Sequence, residues 1–137
     1  MQVNPYIHFN GNCEEALNYY VKAIGAKIDV VMHVKGSPAE PHMPPEMADK
    51  VLHSQFTIDG EVVMASDAPP AHFSKPQGFS ISLNLDDPAE GEKTFKALAD
   101  GGTIKMPYGP TFWSKGFGMC EDRFGIPWMV NCALEPQ

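Results

Sequence analysis

The chain has 137 residues, 43% of them hydrophobic and 20% charged, the balance of an ordinary globular protein with room for a core and no wholesale disorder. Seventeen acidic against ten basic residues give a formal net charge of −7, which argues against nucleic acid or an anionic membrane surface as the main partner. No apolar run is long enough to span a bilayer, and the N-terminus "MQVNPYIHF" lacks the basic and apolar regions of a secretory signal, so a cytoplasmic protein with no membrane partner is expected.

The first predicted element is a strand at Pro5–Phe9. A helix follows in "NCEEALNYYVKAIG". Asn12 is its expected N-cap, and Glu14 and Glu15 suit the positive end of the helix dipole. Ala16, Leu17, Tyr20 and Ile24 form an apolar stripe, and Gly25 supplies the stop. Three strands are then expected near Lys27–Val34, Val51–Ile58 and Glu61–Ser66. Asp59-Gly60 joins the last two as a tight primed turn. In "VLHSQFTI", Leu52, Ser54, Phe56 and Ile58 alternate with His53, Gln55 and Thr57, so one face reads as mostly apolar and the other as polar. The stretch "KGSPAEPHMPPEMADK" before it has too much proline for more than one short helical turn. At 36–50 it is either a lid or surface filler, and His42 within it reads as a solvated loop histidine.

"SDAPPAHFSKPQG" is a linker by its proline, serine and glycine content. The order of elements then repeats. "GFSISLNL" is a strand that places Phe79, Ile81, Leu83 and Leu85 on one face. "DPAEGEKTFKALADGG" is a helix capped by Asp87, with Pro88 at its first position and Gly101-Gly102 at its end. Strands are expected near Thr103–Tyr108, Phe112–Glu121 and Ile126–Ala133, with Trp128, Val130 and Cys132 on the helix-facing side. "AIGAKI" matches "ADGGTI" in position, and "TIDGEVVMA" matches "CEDRFGIPWMV". Each half is therefore βαβββ: module one about 1–67, a linker at 68–77 and module two about 78–133, together one α+β domain. The helices cover one sheet face. The other, polar at His53, Gln55, Thr57, Ser80, Ser82 and Asn84, is predicted to curl into a trough.

Cys13, Cys120 and Cys132 are odd in number and show no C-x-x-C spacing, so they read as buried thiols. "TFWSKGFG" sets Phe112, Trp113 and Phe117 on glycine-rich, flexible backbone. It forms either the wall of an apolar pocket, with Trp113 stacking on a planar ligand, or ordinary packing. Asp67 and Asp122 stand at strand ends, where aspartate caps backbone amides. Arg123 is the chain's one arginine, which disfavours an anion site built on arginine forks. Lys75 and Lys115 flank the expected mouth and would attract an acidic ligand weakly. There is no glycine-rich nucleotide turn followed by an acidic ribose clamp, no Walker loop, no nucleophile elbow and no H-E-x-x-H. Methyltransferase activity is accordingly set aside.

Taken in order, "PYIHFNGNCEEALNYY", "HSQFTIDGEVVMASDAPP", "GFSISLNL", "TFWSKGFG" and "DRFGIPWMVN" resemble the PhnB-like subgroup of the vicinal oxygen chelate superfamily, the glyoxalase/bleomycin-resistance/dioxygenase group. The resemblance covers nearly the whole chain. It implies a glyoxalase/bleomycin-resistance-like fold of two βαβββ modules and a homodimer. Metal-using relatives place ligands on the first and last strand of each module. By position these are His8, then Met64 or Ser66, then Ser82 or Asn84, then Asn131 or Met129. Of these His8 alone is a strong donor, and His53 lies one strand away from the usual ligand position.

The leading expectation is a small-molecule binder with contacts from His8, His53, Gln55, Asn84, Trp113 and Asn131, and with no certain cofactor. A rival is a lyase, isomerase or dioxygenase that uses a divalent metal (Zn, Mn, Fe or Mg) on His8 and His53. A third is an interaction module without a ligand pocket.

Overall fold

The computed structural model describes residues 1–134. The chain divides into two compact units between Ser74 and Lys75, inside the proline-rich segment. Among the described residues no helix is long and apolar enough to cross a membrane.

Unit 1 runs β1 (Tyr6–Phe9), α1 (Cys13–Ile24), β2 (Lys27–His33), β3 (Val51–Ile58) and β4 (Glu61–Asp67). Its sheet order is β1-β4-β3-β2, with β1 parallel to β4 and the other pairs antiparallel. A parallel pair needs a long crossover, which α1, β2 and β3 supply. The stripe of α1 buries Ala16, Leu17 and Tyr20 against Ile7, Phe9, Phe56, Val63 and Ala65, and the Tyr20 ring stacks on Phe56 at 5.7 Å. The β3–β4 turn is as expected: Asp59 and Gly60 both take positive φ, 48° and 83°, the combination a type I′ turn requires.

Two local expectations in unit 1 fail. Asn12 makes no side-chain cap to α1. Asp67, from the far end of β4, takes that role, since its Oδ1 accepts from the Cys13 amide at 2.9 Å and its Oδ2 from the Val51 amide at 2.9 Å. One buried carboxylate thus pins the starts of both α1 and β3. The alternation in β3 also breaks at its first residues. The register slips between Met32 and His33, so Val51 is buried and Leu52 is half-exposed. A bulge reverses side-chain parity locally, which strict alternation does not foresee.

The connection from β2 to β3 holds two single 3₁₀ turns, Glu40–His42 and Pro45–Met47. The amides of Val34 and Lys35 donate to the carbonyls of Lys50 and Ala48 at 3.0 and 2.9 Å, and Met47 is buried. The loop is closed at its neck and anchored by one apolar side chain. His42 is exposed, as expected.

Unit 2 repeats the plan with β5 (Ile81–Leu85), α2 (Pro88–Ala99), β6 (Thr103–Gly109), β7 (Ser114–Glu121) and β8 (Pro127–Ala133). Its order is β5-β8-β7-β6, with β5 parallel to β8. Trp128, Val130 and Cys132 are buried beneath α2 with Phe95 and Leu98, and the Asp87 carboxylate caps the helix by accepting from the Ala89 amide at 3.0 Å. Gly116 and Gly118 face α2 from β7. A Cβ on Gly116 would collide with the Tyr108 hydroxyl, and one on Gly118 would lie 2.7 Å from the Phe95 ring. These glycines make room for close helix–sheet packing; the expectation of flexible backbone is corrected. Phe79 is a second correction. The strand begins only at Ile81, so Phe79 lies outside the core with 51% of its surface exposed.

Candidate functional site

Each sheet has one face under its helix and one face turned away, and strand register decides what the second face carries. In unit 1, Tyr6 pairs with Met64 and His8 with Ser66. Gln55 also pairs with Met64, and His53, one residue before the Ser54–Ala65 pair, falls level with Ser66. Met32 and Val30 continue these rows on β2, opposite His53 and Gln55. The rows read His8–Ser66–His53–Met32 and Tyr6–Met64–Gln55–Val30. The Tyr6 ring lies 5.0 Å from His8 and 5.7 Å from His53 between centroids. Its hydroxyl is 3.0 Å from His53 Nδ1.

Unit 2 presents the same grid. Asn84 pairs with Asn131 and Ser82 with Met129; Phe117 and Met119 stand opposite Asn131 and Met129, and Met106 opposite Met119. The counterpart of His8 is Asn84, and that of His53 is Phe117. Asn131 Nδ2 donates to Asn84 Oδ1 at 3.4 Å. Asn131 Oδ1 is shielded from solvent and has no hydrogen-bond partner among the described residues. Trp113 meets Phe117 edge-on at 5.5 Å and Phe112 at 4.9 Å, with Trp113 45% and Phe112 90% exposed.

The sequence-predicted residues therefore fall into two groups. His8, His53 and Gln55 share the open face of unit 1, whereas Asn84, Asn131 and Trp113 share that of unit 2. Two features went unforeseen. Tyr6 is hydrogen-bonded to His53 and has its ring beside His8, and its two-residue spacing from His8 was the available signal. Five of the chain's eight methionines, Met32, Met64, Met106, Met119 and Met129, stand on open-face positions; the period-two pattern of each strand held that information. The lysines expected at the mouth are both engaged: Lys75 pairs with Glu121 at 3.0 Å and Lys115 donates to the Asp86 carbonyl at 2.9 Å. Asp67 and Asp122 bind backbone amides as expected.

The donor chemistry fits a divalent ion poorly. A catalytic metal site takes about three imidazole or carboxylate ligands. No group of three or more His, Cys, Asp or Glu side chains suited to an ion occurs among the described residues. His53 Nδ1 is occupied by Tyr6. The positions of unit 2 that match His8 and Ser66 hold carboxamides, already bonded to each other. The thiols add no ligand: Cys13 and Cys120 are buried, and burial raises their pKa to about 12 and about 11.

Two βαβββ units in one chain, each with its first strand parallel to its last, are the plan of the vicinal oxygen chelate fold. A fosfomycin resistance protein, FosX from Listeria monocytogenes, solved with Mn(II) and 1S,2S-dihydroxypropylphosphonic acid, has it too: TM-score 0.67, covering 97% of this chain and 92% of that one. At 10% identity that likeness speaks for the fold alone. The family is narrower than the fold. This chain belongs to the PhnB-like family described as 3-demethylubiquinone-9 3-methyltransferase, whose model matches residues 1–131. It is 33% identical to Protein YjdN of Escherichia coli K12, over 96% of this chain and 95% of the relative. The crystal structure of protein PA1353 from Pseudomonas aeruginosa is 44% identical, with TM-score 0.88 over 97% of this chain and 98% of that one. A putative 3-demethylubiquinone-9 3-methyltransferase, PhnB protein, from Bacillus cereus is 26% identical, with TM-score 0.81 over 97% and 100%.

Proposed function

We propose that this PhnB-like protein binds a small, largely apolar molecule on the open sheet faces, without a tightly held metal. The observation that carries the reading is the methionine set on those faces. Methionine is unbranched and polarisable, and it recurs on surfaces that mould themselves to varied apolar partners. A sheet face meant only for solvent has no use for Met32 and Met106, which are 46% and 41% exposed. Polar readers flank the methionines: the Tyr6–His53 pair and His8 in unit 1, the Asn84–Asn131 pair in unit 2. Asn131 Oδ1, lacking an acceptor's usual donor, suits a ligand N–H or O–H. Trp113 and Phe117 offer edges and faces to a planar ring.

Methyl-labelled methionine reports on this directly. A set of planar aromatic fragments, added to the full chain, should shift the methyls of Met64 and Met129, which lie outside the cleft lined by Met119, and Asn131→Leu should weaken the fragments that carry a hydrogen-bond donor. Shifts confined to Met43 and Met47 in the β2–β3 loop, or no shifts, would remove the basis of the reading. Zinc, manganese or iron at one equivalent in purified protein would reinstate the metal-dependent rival with His8 and His53 as ligands. The protein is also read as a homodimer, a reading supported by the family resemblance and by exposed Val30 and Met32 on edge strand β2; sedimentation equilibrium tests it.

A further inference from the structure

Four residues along β7 from Phe117, about 13 Å at the usual rise of a strand, unit 2 has a cleft of about 320 Å³. That is the small end of the range for ligand pockets. Phe79, Met119 and Pro127 give it an apolar lining, and Lys75, Lys105 and Glu121 a charged rim.

The charge there opposes that of the chain. Lys75 Nζ is 3.0 Å from one oxygen of Glu121, and Lys105 Nζ is 2.9 Å from the other. One carboxylate neutralises one of the two ammonium groups, so the cluster stays positive within a protein of net charge −7. An ammonium group has three N–H donors, and each lysine spends one on Glu121. The remaining donors are open to solvent, since the two side chains are 65% and 54% exposed while Glu121 is only 17% exposed. Glu121 thus holds from the sheet side two long side chains that would otherwise lose rotamer freedom on binding. Phe79, half-exposed and outside the core, lines the cleft beside them.

The geometry points to a binding site for a small organic anion, with a carboxylate or sulfonate head between Lys75 and Lys105 and a flat or aliphatic body against Phe79 and Met119. An inorganic anion would leave the apolar lining unused, and a neutral hydrocarbon would leave the ammonium donors unused. The site shares Met119 with the open face but lies beyond the Asn84–Asn131 row, and it does not depend on the ligand proposed for that row.

Naphthalene-2-carboxylate is a suitable probe, titrated into the full chain at low ionic strength and followed by amide NMR. Shifts are expected at Phe79, Lys105 and Met119. The Kd should rise about threefold in Lys75→Gln and in Lys105→Gln, and about tenfold in the double variant, as exposed ionic contacts allow. Lys22→Gln on α1 removes the same charge elsewhere and should leave the Kd unchanged. The neutral naphthalene-2-carboxamide should bind at least about threefold more weakly. A double variant that keeps the parent Kd, or shifts that appear at Asn131 and Trp113 while the cleft stays silent, would overturn the assignment; the latter pattern would instead support the open-face site.

Discussion

Asp122 offers the sharpest test of how unit 2 holds its open face in register. It is 3% exposed. Its Oδ1 accepts from the amides of Phe124 and Ile126 at 2.8 and 3.0 Å, and its Oδ2 from the indole N–H of Trp128 at 2.9 Å. The carboxylate therefore closes the β7–β8 connection and ties it to the largest fully buried side chain of the unit. Asp122→Asn keeps an oxygen for the two amides but turns an NH₂ toward the indole donor. The loss is one charge-assisted hydrogen bond, plus the cost of a buried donor deprived of this acceptor, about 2–4 kcal/mol together. Asp122→Ala removes all three bonds. Because turn amides regain some water, the expected cost is about 3–5 kcal/mol. Urea denaturation in a Trp113→Phe background makes Trp128 the single indole reporter. For a chain of 137 residues each kcal/mol moves the midpoint of thermal unfolding by roughly 3–4 °C, so a melting curve provides a second reading. If Asp122→Asn unfolds within about 0.5 kcal/mol of its parent, the three-donor account of this hairpin is wrong.

Gly116→Ala should destabilise by about 2 kcal/mol or more through the clash with the Tyr108 hydroxyl, and Tyr108→Phe should recover part of that loss; strictly additive effects in the double-mutant cycle would contradict direct contact. Glu121 has its pKa lowered by hydrogen bonds from Lys105 and then Lys75. A lowered folded-state pKa contributes stability that is present above the unfolded value of about 4.3 and is lost as pH falls through the folded value. Urea curves should accordingly show parent and Glu121→Gln differing near neutrality and converging in acid; a gap that widens in acid would reverse the sign of the argument. With Cys13 and Cys120 raised to about 12 and about 11, chiefly by burial, a disulfide reagent at pH ~8 should label them slowly in native protein and promptly in denaturant; fast native labelling of Cys13 would mean that α1 opens from its sheet.

The fold was legible because its signals are local and doubled. Asp59-Gly60, the Asp87-Pro88 helix start, and the alternation of Trp128, Val130 and Cys132 each state their role within a few residues, and the second module repeats the order of the first. What was not legible depends on contacts between distant segments. Asn12 has the right chemistry for a cap, but Asp67, 55 positions away, reaches the Cys13 amide instead. The bulge opposite Met32 reverses Val51 and Leu52 because β2 and β3 slip, and no property of β3 alone predicts that. Gly116 and Gly118 read as flexible backbone under the aromatics, yet their meaning comes from the Tyr108 side chain of β6 and the Phe95 ring of α2, which a Cβ at either position would meet. The candidate site shows the same division. Parity puts His53, Gln55 and Asn84 on open faces and the family resemblance adds His8 and Asn131, whereas the Tyr6–His53 bond, the unpaired oxygen of Asn131 and the cleft at Lys75 need coordinates.

The two modules also act as controls for each other. Both sheets have one strand order, one register at the outer parallel pair and one buried helix stripe, yet their open faces carry different donors. Folding constrains the helix-facing side, where Phe56 meets Tyr20 and Gly118 meets Phe95, and places little demand on the other. Histidine at position 8 or asparagine at position 84 pairs its strand equally well. The fold therefore cannot specify a reaction, and chemistry has to be read from the open-face residues themselves. In unit 1 these are two imidazoles beside a phenol that is hydrogen-bonded to one of them, in unit 2 a carboxamide pair beside aromatic rings, with methionines common to both. On the function proposed above, such a set suits hydrogen-bonding edges and apolar bodies better than it suits a metal ion. A site that reads donors and acceptors rejects analogues lacking them far more sharply than an apolar pocket rejects a missing methylene. Fragments that differ by one N–H or O–H should consequently separate at Asn131, and those that differ by one methyl should separate little at the methionines.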